Sequence, residues 1–282
     1  MTVSLAIYTF SSSARRVFKI YRGGASFLPT SLGGVPLSPT STVLMTPEGR
    51  ARETILQNVL SEMCLAAGIS EPDLYVLPNE ASINAMAVGL SPEESSIVIT
   101  KGALQYLDRD ELSGLIGHEL SHIINGDARH NTIMTGWLHG YFSLTSVGLF
   151  MLTRMWRVLW LIPLGFTLII LGFLGDLAGK LIQAGFNRGR ESMADAYSVQ
   201  FTRDPSCLAG VLKKIGGLDS GSYISYININ ALECRHLFIA ESLKSLFQAH
   251  PPLSERVWAL EPNWDGYWHD FEADPVDFLK TP

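Results

Sequence analysis

Two long stretches of this chain carry no formal charge. Between Asn131 and Arg154 lie 22 residues with one histidine, His139, as their only titratable side chain other than Tyr141. After a turn that holds Arg154 and Arg157, residues 158–175 add 18 more. As helices these runs reach about 33 and 27 Å, close to the roughly 30 Å of a bilayer's hydrocarbon core. Trp137, Trp156 and Trp160 stand near the expected ends, where interfacial aromatics belong. A hairpin buried in a soluble core is the competing reading, but core helices are seldom uncharged over such lengths. Composition agrees with lipid contact: 47% of residues are hydrophobic and only 17% charged, against about 25% charged in soluble domains.

The rest of the chain is organised around this hairpin. Residues 3–10 are apolar but too few to span, and Arg15, Arg16, Lys19 and Arg22 follow them. A signal peptide has its positive charge before the apolar run, so this segment reads as an interfacial anchor or the stub of a longer membrane segment. A Gly/Pro/Ser/Thr-rich linker follows to Thr46. Four segments result: 1–46 membrane-proximal and linker, 47–130 the first globular part, 131–177 the transmembrane hairpin, and 178–282 the second globular part. Cys64, Cys207 and Cys234 are far apart and odd in number, which excludes a disulfide framework and a thiolate zinc knuckle. A net charge of -6 without a basic run excludes nucleic acid as a partner.

Local patterns predict a helix over 47–67, opened by Pro47 and closed by Gly68. Short strands are expected at 74–77, 83–88 and 96–100. A helix opened by the capping pair Asp108 and Glu111 should run to about Arg129. Further helices are expected at 178–203, 205–215, 229–248 and 253–261.

The sharpest motif is His118-Glu119-Leu120-Ser121-His122. Four residues apart on a helix, both imidazoles face one side and can reach one ion, and Glu119 beside them can take a proton from an activated water. A polar helix face with two surface histidines is the bland alternative. A catalytic zinc needs a third protein ligand. Asn125 and Ala128 exclude the metzincin continuation. Glu191, on a later helix, supplies a carboxylate as in gluzincins, and Asp195 one turn on can accept the free ring N–H of a ligating histidine. Two spans between His118 and Glu191 return the chain to one side of the membrane, where the halves can meet. Asp110, Glu111 and Ser113 show that the motif helix is not itself embedded in lipid.

Several ordered motifs accompany this one: LGG at 32–34, INAMAVG at 83–89, DRDELSGLIGHELSHIINGD at 108–127, RGRESMADAYSV at 188–199 and HPPLSER at 250–256. Together they resemble the HtpX-like membrane zinc metallopeptidases, gluzincins related to the CAAX prenyl proteases. The resemblance implies Zn2+ held by His118, His122 and Glu191, with Glu119 as base and Asp195 behind the ligands. It implies an edge strand, with Asn84, Ala85 and Met86, that binds substrate backbone, and His250 or Arg256 facing the oxyanion. It also implies turnover of membrane or misfolded polypeptides. Relatives usually begin with two membrane helices, where this sequence has a stub at most.

The expected fold is therefore α+β and mainly helical, a zincin-type metallopeptidase domain with a small sheet, interrupted by a transmembrane helical hairpin. Arg129, Lys180, Arg188 and Arg190 flank the spans on the site's side against Arg154 and Arg157 on the other, which places the catalytic domain in the cytoplasm of a multi-pass cell-membrane protein. Two alternatives stand beside this: a catalytically silent zinc-binding membrane scaffold, with His250 as a fourth ligand, and a metal-dependent hydrolase of small molecules.

Overall fold

The computed structural model describes residues 29–30, 32–37, 44, 46–218 and 251–268. The apolar run at 3–10, the helix expected at 229–248 and His250 lie outside them.

Helix α1 (Pro47–Ala67) begins as its sequence dictates. Thr46 Oγ1 accepts the Gly49 N–H at 3.0 Å, Pro47 fills the first turn, and Gly68 closes the helix with a left-handed φ of 72°. Strands β2 (Asp73–Leu77), β3 (Ala85–Gly89) and β4 (Ser95–Thr100) form a sheet with β1 (Val35–Pro36) in the order β1-β2-β4-β3. β4 runs parallel to β2 and antiparallel to β3. The two-residue β1, unexpected inside the linker, is antiparallel to β2 at the opposite edge, a place that tolerates Pro36.

Helix α2 (Lys101–Tyr106) follows β4 directly, capped by Thr100. Helix α3 (Arg109–Ile124) opens with the expected reciprocal box: Glu111 N–H donates to Asp108 Oδ1 at 2.8 Å, and Asp108 N–H to Glu111 Oε2 at 2.8 Å. It stops five residues earlier than expected. Gly126 adopts φ 75°, and a new helix, α4 (Asp127–Arg154), starts behind it. Residues 155–160 turn the chain into α5 (Leu161–Thr202), then α6 (Pro205–Gly217) and, later, α7 (Leu253–Leu260). The main core lies between the sheet and α1, α3 and α6, while Leu32, Tyr75, Leu77, Met86, Val88 and Val98 pack on the sheet's other face. Buried Lys214 of α6 bonds Glu111 Oε2 at 2.6 Å and the Tyr106 carbonyl at 2.9 Å, tying α6 to the start of α3.

α4 and α5 form an antiparallel hairpin that closes on small residues: Gly148 meets Gly165 and Ile169, Gly172 meets Thr145, Gly175 meets Tyr141, and Gly179 meets Leu138. Two findings differ from expectation. First, α5 is one helix of 42 residues. Asp176 and Lys180, which looked like the end of a span, pair four residues apart on its surface at 2.6 Å. Second, among the described residues only Leu161–Ile182 is long and apolar enough to cross a membrane, with mean hydropathy 2.0. Only 17% of its apolar window is buried, the opposite of a soluble core helix. α4 falls short because its uncharged run is diluted by Thr132, Thr135, His139, Ser143, Thr145 and Ser146.

Candidate metal centre

Helix α3 presents His118 and His122 on one face, and its approach to α5 is set by small side chains. Gly117 lies against Ser198, whose Oγ donates to the Gly114 carbonyl at 2.7 Å. Gly114 itself abuts the backbone of Cys207 and Leu208 at the start of α6. This close crossing brings Glu191 of α5 onto the histidine pair. His118 Nε2 lies 3.6 Å from Glu191 Oε2, His122 Nε2 lies 3.6 Å from Glu191 Oε1, and the two Nε2 atoms are 3.2 Å apart.

Each ring has a carboxylate behind it. His118 Nδ1 lies 3.0 Å from Asp195 Oδ1, and His122 Nδ1 lies 3.1 Å from Asp127 Oδ2. Ionised carboxylates only accept, so both Nδ1 atoms carry the proton, and in the neutral rings both Nε2 atoms present lone pairs. Two nitrogen lone pairs and a carboxylate, 3% exposed, thus converge on one point. With both rings neutral such a donor set repels itself, which a proton on one ring or a metal cation between the donors relieves, and His/His/carboxylate is a set that divalent metals accept. The residues fit a metal ion.

Electrostatics follow from burial and these partners. Burial lowers the His118 pKa, keeping its ring neutral, the form that ligates. Burial also acts against a charge on His122, but Asp127, Glu191 and Glu119 outweigh it and hold the metal-free ring at about 9. Burial would raise the Asp195 carboxyl, yet the guanidinium of Arg256 and the His118 ring hold it below the usual range. Arg256, on α7 and 3% exposed, donates from Nε and Nη2 to Asp195 at 2.9 and 2.6 Å, and its Nη1 is 3.4 Å from Glu191 Oε2. It is engaged with Asp195, behind His118, and with the Glu191 carboxylate itself. Glu119 is 1% exposed, one residue along α3 from His118.

Asp127 was not legible as a site residue. Its position depends on the break at Gly126, which places the first residue of α4 beside His122. Arg190 of α5 then forms an ion pair with Asp127 Oδ1 at 2.6 Å and donates to the Asn125 carbonyl at 3.3 Å, holding that break against the site. The Asn125-Gly126 pair, beginning three residues after His122, is the sequence signal for this break.

Strand β3 is an edge of the sheet and packs against α3 and α4. The Asn84 carbonyl accepts from Thr100 N–H at 3.0 Å, so by the antiparallel alternation Asn84 and Met86 turn their backbone groups toward β4, and Ala85 and Ala87 turn theirs outward. The Asn84 side chain accepts the Ala85 N–H at 3.1 Å. His130 stacks on Phe186 at 3.9 Å, and His139 is buried within α4, its carbonyl accepting from Ser143.

A helix-borne His-Glu-x-x-His pair completed by a glutamate from a later helix defines a candidate metallopeptidase centre. Comparison with known proteins agrees: the chain belongs to peptidase family M48, which it matches over residues 50–263. A protease HtpX homolog of Caldanaerobacter subterraneus subsp. tengcongensis is 32% identical over 249 residues, covering 82% of this chain and 76% of that protein. A protease HtpX homolog of Streptococcus uberis is 33% identical over 239 residues, covering 78% and 79%. The crystal structure of S. mikatae Ste24p superposes with a TM-score of 0.45 at 17% identity, over 91% of this chain and 57% of that one.

Proposed function

We propose that this M48 peptidase is a membrane-anchored, zinc-dependent endopeptidase that hydrolyses membrane or misfolded polypeptides. The observation that supports it best is the convergence of His118, His122 and Glu191, with each imidazole oriented by its own carboxylate. These three residues would hold the zinc, and Asp195 and Asp127 fix the ring tautomers. When bound, zinc supplies Lewis acidity that acidifies a water and polarises a carbonyl. Glu119 accepts the water's proton on a carboxylate oxygen and delivers it to the leaving amine. The edge strand at Asn84, Ala85 and Met86 receives the substrate backbone by strand addition, through the outward carbonyl of Ala85 and the outward groups of Ala87. Of the two oxyanion candidates, Arg256 acts through Asp195 and Glu191, and His250 lies outside the described residues. The catalytic domain is made of two parts, 47–130 and 178–282, joined through the hairpin at 131–177.

Cleavage of an unstructured polypeptide should stop with a chelator and return with zinc. Asp127→Asn or Asp195→Asn should raise the zinc concentration needed for half-recovery by about 10–100-fold, the usual cost of losing an orienting partner. Recovery at the wild-type zinc concentration would mean that these carboxylates do not tune the ligands.

Orientation follows from charge. Arginine and lysine residues near the ends of the hairpin are more numerous on the site's side, which supports a cytoplasmic site. In a chain whose own three cysteines are replaced, a cysteine introduced at Thr153 should react with an impermeant thiol reagent added outside intact cells. One at Ser192 should react only after lysis. The reverse pattern would place the site outside the cytoplasm.

A further inference from the structure

Helix α5 joins the lipid to the metal centre without a loop. Leu161–Ile182 is its membrane-length part, and Glu191 and Asp195 belong to the same helix. Glu191 lies nine residues past Ile182, about 13 Å along the axis. The exposed Asp176–Lys180 pair gives the earliest level at which polar headgroups can begin. From Asp176 to Glu191 the helix rises about 22 Å. The metal ligand therefore stands about 13–22 Å outside the hydrocarbon edge, carried on a rod.

The hairpin's register sets the level of the sheet edge as well. Tyr141 lies against Gly175 and Leu138 against Gly179. Thr132, six residues before Leu138, then stands about 9 Å above the level of Gly179, just past Ile182. At that level Thr132 Oγ1 accepts the N–H of Gly89, the last residue of β3, at 3.2 Å. This bond ties the Gly89 end of the edge strand to the hairpin, and β3 packs against α3, the helix of His118 and His122.

We propose that α5 is a fixed spacer that selects polypeptide segments emerging from the same bilayer and has them cut about four to seven extended residues from the hydrocarbon edge, at about 3.3 Å per residue. This rests on reading α5 as membrane-spanning and the chain as a protease.

The test uses the full chain, zinc-loaded, in phosphatidylcholine vesicles. The substrate is a single membrane span followed by an unstructured polar tail in which one cleavable sequence recurs at even intervals. The repeat nearest the membrane should be cut about tenfold faster than one about 25 residues out, because the local concentration of a tethered segment falls steeply with tether length. The same tail without its span, offered to the chain in detergent, should be cut evenly at every repeat. Even cutting of the anchored tail overturns the fixed spacer and leaves the protease standing. If neither tail is cut, the protease reading fails, and the spacer with it.

Discussion

Glu119→Gln should keep its zinc and its fold and lose about 10²–10⁴-fold in peptide hydrolysis. The side chain is 1% exposed and belongs to the residue that follows His118 on α3. Glutamine keeps the shape and hydrogen-bonding reach of glutamate, so neither packing nor the histidine positions should change. What it lacks is a basic oxygen, and its amide nitrogen donates where the carboxylate accepts. The loss should therefore fall on the rate of the chemical step, with zinc content unchanged by metal analysis. Glu119→Asp keeps the basic group but draws it back by one methylene, and an intermediate activity would show that position as well as basicity is required. Turnover in the glutamine variant comparable to wild type would remove Glu119 from the mechanism. A wild type as inactive as the variant would favour the metal-holding scaffold.

What the sequence disclosed and what it concealed divide along a physical line. The capping box at Asp108 and Glu111 and the facing of His118 and His122 depend on residues within one or two turns of each other, so spacing alone reveals them. Glu191 was legible because Asp195 follows it by one turn and the two carboxylates share a face. Asp127 was concealed because its value arises from a change of chain direction at Gly126, and such breaks are weakly encoded. The continuity of α5 was hidden for a different reason. Asp176 and Lys180 read as the end of an apolar run, whereas on a helix surface opposite charges four apart support the helix they appear to end. The linker concealed β1 because a two-residue strand is held by its neighbour and has no periodicity of its own. Arg256 was recognisable as a site residue, but only the fold reveals that it engages Asp195 and Glu191 from α7.

Glu191→Ala should abolish stoichiometric zinc binding, and this is the most direct measure of whether the centre works as a three-ligand site. The two histidines come from a single helix and would remain, each with its orienting carboxylate. Two imidazoles on one turn give a divalent ion neither the third protein ligand nor the negative charge of a catalytic zinc site. Zinc binding stabilises a fold by mass action, about 4 kcal/mol when free metal is about 1,000-fold above its dissociation constant. The wild type should accordingly melt at a higher temperature with zinc, and Glu191→Ala should show no such rise. The alanine variant also leaves Arg256 with one carboxylate fewer in a buried position, so its metal-free melting temperature is expected to shift on its own account. Glu191→Gln fills the volume left by alanine and, like alanine, removes the charge. Zinc-dependent stabilisation should be weak or absent in both. A Glu191→Ala chain that binds one zinc with wild-type affinity would mean that the third ligand is another group, and the convergence of Glu191 on His118 and His122 would then have to be explained by its pairing with Arg256 alone.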